Sequence, residues 1–263
     1  MPNLKAFEVQ AFGCHIRVET SCSEAYDALE RYIFPPFPRT QHAPSGADIA
    51  VKVERVDDRF LLLANGTEIT VSESLINLAP ALIRVVDDAV IRNLGNFRAV
   101  HAGTVLCGRQ ALLLPGATHA GKSSIVAKLL RRGAKYFSDE YALIDPDGFV
   151  HAYPRPLLLR NGMPEQIPVL PEELNSSFGV GPVPIGWILC FEYQPTYLWD
   201  VEKVPQSEGL MLLLRNTPHA LEDSPSMVDV FLKAVARAEC YVGRRGDAEE
   251  AADYIEKLVG GFA

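Results

Sequence analysis

The sequence feature that most constrains the fold of this chain is a glycine motif that lies between an apolar run and a helical pattern. Leu112 to Pro115 lead into residues 116–123, Gly-Ala-Thr-His-Ala-Gly-Lys-Ser, which fit the pattern G-x-x-x-x-G-K-[ST]. The two glycines let backbone amides approach an anion closely, and the following helix points its positive end at the same place. A chance match in a chain of this size has a probability of about 1%, and the alternative is a glycine-rich turn that only caps a helix. The motif predicts a phosphate-binding loop.

The chemistry of nucleotide phosphates gives roles to the residues of this loop. Lys122 is expected to pair with the β and γ phosphates, and the Ser123 hydroxyl is expected to bind Mg²⁺. The other predicted nucleotide-binding residues are Gly116, Ala117, Thr118, His119, Ala120, Gly121 and Ser124. His119 occupies a variable position of the motif, from which its side chain either contacts phosphate or projects outward. The predicted cofactors are ATP, or another nucleoside triphosphate, and Mg²⁺.

An acidic pair, Asp139 and Glu140, follows the next predicted strand. The preceding residues, 89–138, contain eight Lys or Arg and no Asp or Glu. Ligands collect at the carboxyl ends of strands in a parallel α/β sheet, so the pair is expected beside the loop. We assign Asp139 to metal binding or general-base work and Glu140 to the complementary role, and the sequence leaves open which side chain takes which. The alternative is a solvated turn at the end of a strand.

Histidine and arginine side chains near the loop each have two interpretations. His101, in Val-His-Ala-Gly, is either a catalytic or phosphate-contacting residue or a structural one. Arg155 and Arg160 follow the acidic strand, and they either reach phosphates or lie on the surface.

Charge and composition exclude several classes of protein. The chain has 263 residues, a formal net charge of −8 and no apolar run long enough to span a bilayer, so we expect no nucleic-acid partner and no membrane association. The five cysteines are irregularly spaced without a C-x-x-C pair, which argues against a disulfide framework or a zinc site. We expect a cytoplasmic protein, and a homo-oligomer is compatible with the sequence.

The order of predicted elements divides the chain near Gly95. Residues 1–95 are predicted to form hairpins and a helix from Pro80 to Leu94, a small α+β domain that either recruits an acceptor or only packs against the rest. Residues 96–263 contain the glycine loop in the order strand, loop, helix, strand, which is typical of a parallel sheet. Further along, we predict a strand at Leu210–Leu214 and helices at Ser226–Cys240 and Asp247–Leu258.

Four segments occur in an order that resembles the HPr serine kinase/phosphorylase family. They are His101-Ala102-Gly103, the 116–123 motif, Arg132-Gly133 and Phe137 to Tyr141. The resemblance covers about residues 98–160. It implies an α/β fold with a P-loop kinase core of the HPr kinase/PEP carboxykinase type, which uses ATP and Mg²⁺ to phosphorylate a serine hydroxyl. It also implies that His101 and the acidic pair surround the reacting phosphate.

The chain departs from this family pattern in two places. A segment after the acidic strand, a Glu followed by an Arg-Gly-Leu-Gly-Ile-like run, is absent, and residues 153–171 are Pro-rich instead. Residues 1–95 also differ from the usual front domain, and they resemble those of shorter kinases that phosphorylate the C-terminal serine of lasso peptide precursors. We therefore predict a serine kinase acting on a peptide or small protein. The alternatives are a PEP carboxykinase-like enzyme acting on a small acid and a nucleotide-binding regulatory module without chemistry.

Overall fold

The chain divides into two compact units, each with strands and helices, so the protein is mixed α/β. The first unit comprises Met1–Gly95 and Arg155–Leu170, and the second comprises Asn96–Pro154 and Pro171–Ala263. Residues 155–170 were predicted to belong to the second domain, whereas they pack with the first unit. The computed structural model describes residues 4–30, 34, 37–40, 46–117, 120–160, 162, 165–218 and 224–262.

A six-stranded sheet forms the first unit, in the order β3-β1-β2-β4-β5-β6. Its strands are β1 (Lys5–Ala11), β2 (Cys14–Thr20), β3 (Arg39–Thr40), β4 (Ile49–Val56), β5 (Arg59–Ala64) and β6 (Thr67–Ser72). Only β2 and β4 pair in parallel among the described strands of this sheet. Asn65 and Gly66 join β5 to β6 in a hairpin, and both residues have positive φ, as such a turn requires.

Two helices, α1 (Ser23–Ala28) and α2 (Leu75–Arg92), accompany this sheet. The prediction that Pro80 begins a helix was wrong, because α2 starts five residues earlier. The Ser74 hydroxyl caps this start by accepting a hydrogen bond from the backbone N–H of Asn77. Pro80 therefore lies inside the helix, where it is buried.

The segment that returns to the first unit adds a two-stranded hairpin, β12 (Leu157–Leu159) and β13 (Ile167–Val169), which contacts α2. Arg155 begins this segment, and its Nε lies 3.4 Å from Oδ2 of Asp87 on α2. Both side chains are almost completely buried. A buried guanidinium and a buried carboxylate therefore connect the returning segment to the helix.

An eight-stranded sheet organises the second unit. Its strands are β7 (Arg98–Cys107), β8 (Gln110–Pro115), β9 (Lys135–Ser138), β10 (Tyr141–Ile144), β11 (Val150–His151), β14 (Ile185–Tyr193), β15 (Trp199–Val204) and β16 (Glu239–Arg245). The strand order is β11-β10-β7-β8-β14-β16-β15, and β9 also pairs with β7. β8, β14 and β16 are parallel, but β7 is antiparallel to β8 because a two-residue turn joins them. The predicted parallel sheet is therefore mixed.

The described α-helices of this unit are α3 (Lys122–Arg131), α4 (Gln206–Arg215), α5 (Ser224–Val235) and α6 (Ala248–Val259), and residues 171–174 form a short 3-10 helix. The predicted strand at Leu210–Leu214 was wrong, since these residues lie in α4. The predicted helix ending at Cys240 stops at Val235, and Cys240 lies in β16. None of the described helices is long and apolar enough to cross a membrane.

Packing fixes α3 against the sheet and against α6. A Cβ atom added at Gly103 of β7 would lie 2.8 Å from Cγ2 of Val126, so glycine permits the close approach of α3. Arg132, which follows α3, forms ion pairs with Glu249, Asp253 and Glu256 of α6. The first turn of α3 is thereby held at the end of the central strand β8.

Candidate functional site

The candidate site lies at the carboxyl ends of β8 and β9, which flank β7. Pro115, the last residue of β8, pairs with Ala102, and Ser138, the last residue of β9, pairs with Thr104. The loop after β8 and the acidic pair after β9 therefore leave the sheet at the same edge, as expected from the sequence. Backbone hydrogen bonds connect both segments to β7. The Gly116 N–H donates to the His101 carbonyl oxygen (3.3 Å), and the Ala102 N–H donates to the Glu140 carbonyl oxygen (3.0 Å).

Lys122 is enclosed by the loop that precedes it. Its Nζ donates to the carbonyl oxygens of Gly116 and Ala117, both at 2.9 Å, and only 8% of the residue is exposed. An ammonium held by loop carbonyls offers its charge to any anion that enters the loop. Gly121, directly before it, has φ +77°, a backbone conformation that favours glycine.

His101 stands between a donor and an acceptor. Its Nε2 lies 2.9 Å from Oε1 of Glu140 and 3.3 Å from Nζ of Lys122. A carboxylate only accepts and an ammonium only donates, so one neutral Nε2 serves one of them at a time. The shorter distance favours the tautomer in which Nε2–H donates to Glu140. The imidazole therefore orients the Glu140 carboxylate.

Asp139 is held by the buried Tyr136. The Tyr136 hydroxyl donates to Oδ1 of Asp139 at 2.9 Å and accepts from the Asp139 backbone N–H at 3.1 Å. The Ser138 hydroxyl accepts the backbone N–H groups of Glu140 and Tyr141, which fixes the turn. Asp139 is 1% exposed, whereas the Glu140 side chain is 34% exposed. The two acids therefore differ in environment: Asp139 is buried and held in place, whereas Glu140 is accessible.

The structure brings together most of the residues that the sequence singled out, but not all of them. His101, Lys122, Asp139 and Glu140 lie at one sheet edge, together with the described part of the loop. Ser123 and Ser124 lie in the first turn of α3, half-buried and exposed respectively. Thr118 and His119 lie outside the described residues. Arg155 and Arg160 belong to the first unit, where Arg155 pairs with Asp87.

Sequence reasoning missed one basic residue of the site, Arg245. It ends β16, is 3% exposed, and donates from Nη2 to the carbonyl oxygen of Ala120 at 3.0 Å and to that of Gly121 at 3.4 Å. The sequence signal that was missed is strand β16. A predicted strand over these residues would have placed Arg245 at its carboxyl end, before Gly246 and the helix N-cap Asp247.

The oxygen ligands that Mg²⁺ prefers are present at this edge of the sheet. The negative charges of Glu140 and Asp139 both act on Lys122, which puts the two carboxylates near the loop. Mg²⁺ is usually held by one or two carboxylates and substrate phosphates, and it needs no larger protein cage. The described residues form no cluster of three or more His, Cys, Asp or Glu that could hold a metal ion. The two carboxylates beside the loop fit a Mg²⁺ ion that is held together with nucleotide phosphates.

Burial changes the acidity of Lys122. Removal from water lowers the pKa of its ammonium below 10.5, and the nearby carboxylates of Glu140 and Asp139 oppose this decrease. The His101 imidazole also contacts the Lys122 ammonium, through its Nε2. A lysine with a lowered pKa loses its proton first as the pH rises, so its anion binding should weaken at a lower pH than for an exposed lysine. Between the folded and unfolded pKa values, the unfolded chain binds more protons, so this lysine contributes stability that grows with pH.

We expect the Lys122 side chain to titrate below the other lysines of the protein. The measurement is an NMR pH titration of protein labelled with ¹³C at lysine Cε, with Lys122 assigned by its absence in Lys122→Arg. Added pyrophosphate should shift the same titration to higher pH, since a bound anion favours the charged form. A Lys122 signal that titrates with the exposed lysines would contradict the desolvated site.

The chain matches no protein-family model, and no curated protein matches it significantly.

Proposed function

We propose that this protein is an ATP- and Mg²⁺-dependent kinase that transfers the γ-phosphoryl group to a serine hydroxyl of a peptide or small protein. The observation that carries the proposal is the contact of Lys122 with His101 and of His101 with Glu140, directly beside a loop with the G-x-x-x-x-G-K-S sequence. A P-loop kinase core of the HPr kinase/PEP carboxykinase type is part of the same proposal. Phosphoryl transfer needs this combination, a cation on the phosphates and a carboxylate within reach of the acceptor.

The loop and Lys122 bind the triphosphate in this scheme. Backbone amides at the start of α3 and the Lys122 ammonium neutralise the β and γ phosphates, and they stabilise charge that spreads over the γ-phosphoryl oxygens. Because Lys122 is buried, its interaction with phosphate is less screened than it would be on a surface.

Glu140 is the better placed of the two acids to receive the proton. Its side chain is accessible and hydrogen-bonded to His101, whereas Asp139 is enclosed and bonded to Tyr136. The serine oxygen forms a bond to the γ-phosphorus, the bond from that phosphorus to the β-phosphate oxygen breaks, and ADP leaves. The hydroxyl proton passes to the Glu140 carboxylate, and His101 orients that carboxylate.

Asp139 and Ser123 are the residues that would hold Mg²⁺. Bound with the nucleotide, the metal supplies neutralisation of phosphate charge. The Tyr136 hydroxyl fixes the Asp139 side chain, so the carboxylate loses little further conformational entropy when it binds the metal.

Removal of the charge of Glu140 and of Asp139 should therefore change phosphoryl transfer in different ways. We expect Glu140→Gln to lower the transfer rate by about 10²–10⁴-fold without changing the Mg²⁺ requirement. We expect Asp139→Asn to raise the Mg²⁺ concentration needed for half-maximal rate by at least about tenfold. The measurements are the transfer rate and the Mg²⁺–rate profile of each variant. Identical profiles for the two would refute the division of roles.

The acceptor is tested with peptides and proteins of defined chemistry. The protein is incubated with γ-labelled ATP and either a peptide encoded beside its gene or a phosphocarrier protein, each with a matched form in which the serine is alanine. We expect label only on the serine forms, and the labelled acceptor identifies the branch of kinase. Transfer to a small acid and to no hydroxyl would favour the carboxykinase alternative. That alternative requires acceptor-binding arginines, and Arg155 is paired with Asp87 instead.

A further inference from the structure

Arg245 lies at the same sheet edge as the loop because of strand order. β16 pairs in parallel with β14, and β14 pairs in parallel with β8, so their carboxyl ends coincide. The Arg245 guanidinium lies over the ring of Tyr193, its register partner on β14, with its central carbon 4.9 Å from the ring centre. Its Nη1 donates to the Gly246 carbonyl at 2.9 Å. The contacts with Tyr193 and Gly246 fix the position of the guanidinium, and its Nη2 contacts the loop.

Peptide planarity makes the contact with the loop directional. In a trans peptide the C=O and the following N–H point in opposite directions. Arg245 draws the carbonyl of Ala120 to one side, so the N–H of Gly121 points to the other. The Gly121 carbonyl, which also accepts the N–H of Ile125 in the first turn of α3, orients the N–H of Lys122 in the same way. The guanidinium therefore constrains the direction of two consecutive amides, the second together with Ile125.

Stability alone does not explain an arginine at this position. Burial removes the guanidinium from water and lowers the pKa of Arg245, although an arginine stays charged at neutral pH. Its buried Nε finds no hydrogen-bond partner in the described part of the chain. A buried charge with an unmet donor costs free energy, and the hydrogen bonds of Arg245 to carbonyl oxygens offset this cost only in part. A role in the site would account for its presence.

We infer that Arg245 is a positioning residue of the loop: it holds the Ala120–Gly121 turn so that the amides of residues 121 and 122 face the phosphates. Arg245 acts through the backbone and does not touch the reacting atoms. The identity of the anion rests on the proposed function, but the hold on the loop does not.

The adjacent residue Arg244 provides a matched control. It points away from the loop, donates to the Tyr197 hydroxyl at 2.8 Å and lies 3.5 Å from Asp200, and its side chain is 43% exposed. The experiment titrates wild type, Arg245→Met, Arg245→Lys and Arg244→Ala with MgATP and with pyrophosphate by calorimetry. Thermal unfolding of each variant is measured in parallel.

We expect Arg245→Met to weaken both ligands by about 10–100-fold at a temperature at which the thermal unfolding curve shows the variant to be folded. Arg245→Lys should restore part of the affinity, and Arg244→Ala should bind like wild type. Wild-type affinity in folded Arg245→Met would overturn the inference. Equal losses in Arg245→Met and Arg244→Ala would overturn it too, as a general effect of removing charge.

Amide hydrogen exchange gives a second readout that needs no ligand and does not depend on the methionine variant. In Arg245→Lys the amides of residues 121–124 should exchange faster than in wild type, and those of β8 should be unchanged. Unchanged exchange at 121–124 would overturn the inference. If wild type binds neither MgATP nor pyrophosphate, the proposed function fails, and the exchange result still decides whether Arg245 holds the loop.

Discussion

Replacement of Lys122 by alanine should reduce γ-phosphoryl transfer by at least about 10³-fold, the largest functional effect that we expect in this protein. The residue places a desolvated positive charge inside the loop, where carbonyl oxygens and His101 surround it, and alanine leaves developing phosphate charge without that cation. The measurement is the initial rate of label transfer from γ-labelled ATP to the serine acceptor.

Lys128, further along the same helix, is the matched control for this substitution. Its ammonium pairs with Glu249 on α6. Lys128→Ala should keep the wild-type transfer rate and lose at most about 1 kcal/mol of unfolding free energy. Comparable rates in Lys122→Ala and wild type, with both proteins folded, would contradict the proposed role of the loop.

Loss of one partner of the buried Arg155–Asp87 pair should lower the free energy of unfolding by about 3–5 kcal/mol. Each side chain would leave the other as an uncompensated charge in the interior, since both are nearly completely buried. Urea denaturation of Arg155→Met and Asp87→Leu measures the effect. The exposed Arg39, which pairs with Glu30, is the control, and Arg39→Ala should cost no more than about 1 kcal/mol.

The double variant Asp87→Leu/Arg155→Met separates a structural pair from a functional one. With both charges removed, stability should recover most of the loss, because an apolar pair of similar volume replaces a desolvated ion pair. Losses below about 1 kcal/mol in both single variants would show that the pair is not buried in solution. A folded Arg155→Met that loses transfer while Asp87→Leu keeps it would return Arg155 to the candidate site.

The glycine loop and its flanks were predictable because their signals are local. The apolar run before Gly116 is strand β8, the pattern after Lys122 is helix α3, and the acidic pair leaves β9 at the same edge of the sheet. Each of these depends on residues close together in sequence. His101 was also placed near the loop, but its contact with Glu140 depends on the pairing of β7 with β10, which sequence order only suggests.

The window of residues 89–138, which contains eight basic residues and no acidic ones, is a less reliable guide to the site. Lys128 and Arg132 of this window pair with acidic residues of α6. Arg245, which does contact the loop, lies outside the window by more than a hundred positions in the chain. A window counts neighbours in sequence, whereas charges interact through space.

The remaining errors have identifiable physical causes. Leu210–Leu214 is a short apolar run, which periodicity alone does not separate into strand or buried helix, and it lies in α4. β16 was missed because its sequence, Glu-Cys-Tyr-Val-Gly-Arg-Arg, shows only weak alternation of apolar and polar residues. It pairs with the charged edge strand β15. The return of residues 155–170 to the first unit depends on long-range packing against α2, for which no local pattern exists.

The most direct test of the kinase proposal compares ATP labelled at the γ and at the α position. Wild-type protein is incubated with each nucleotide, Mg²⁺ and the serine-containing acceptor, and the label on the acceptor is counted and located by mass spectrometry. We predict stoichiometric transfer from γ-labelled ATP to serine, none from α-labelled ATP, and none to the alanine form. Tight binding of MgATP by wild type without γ-label on any serine acceptor would contradict the proposal and leave a nucleotide-binding module in its place.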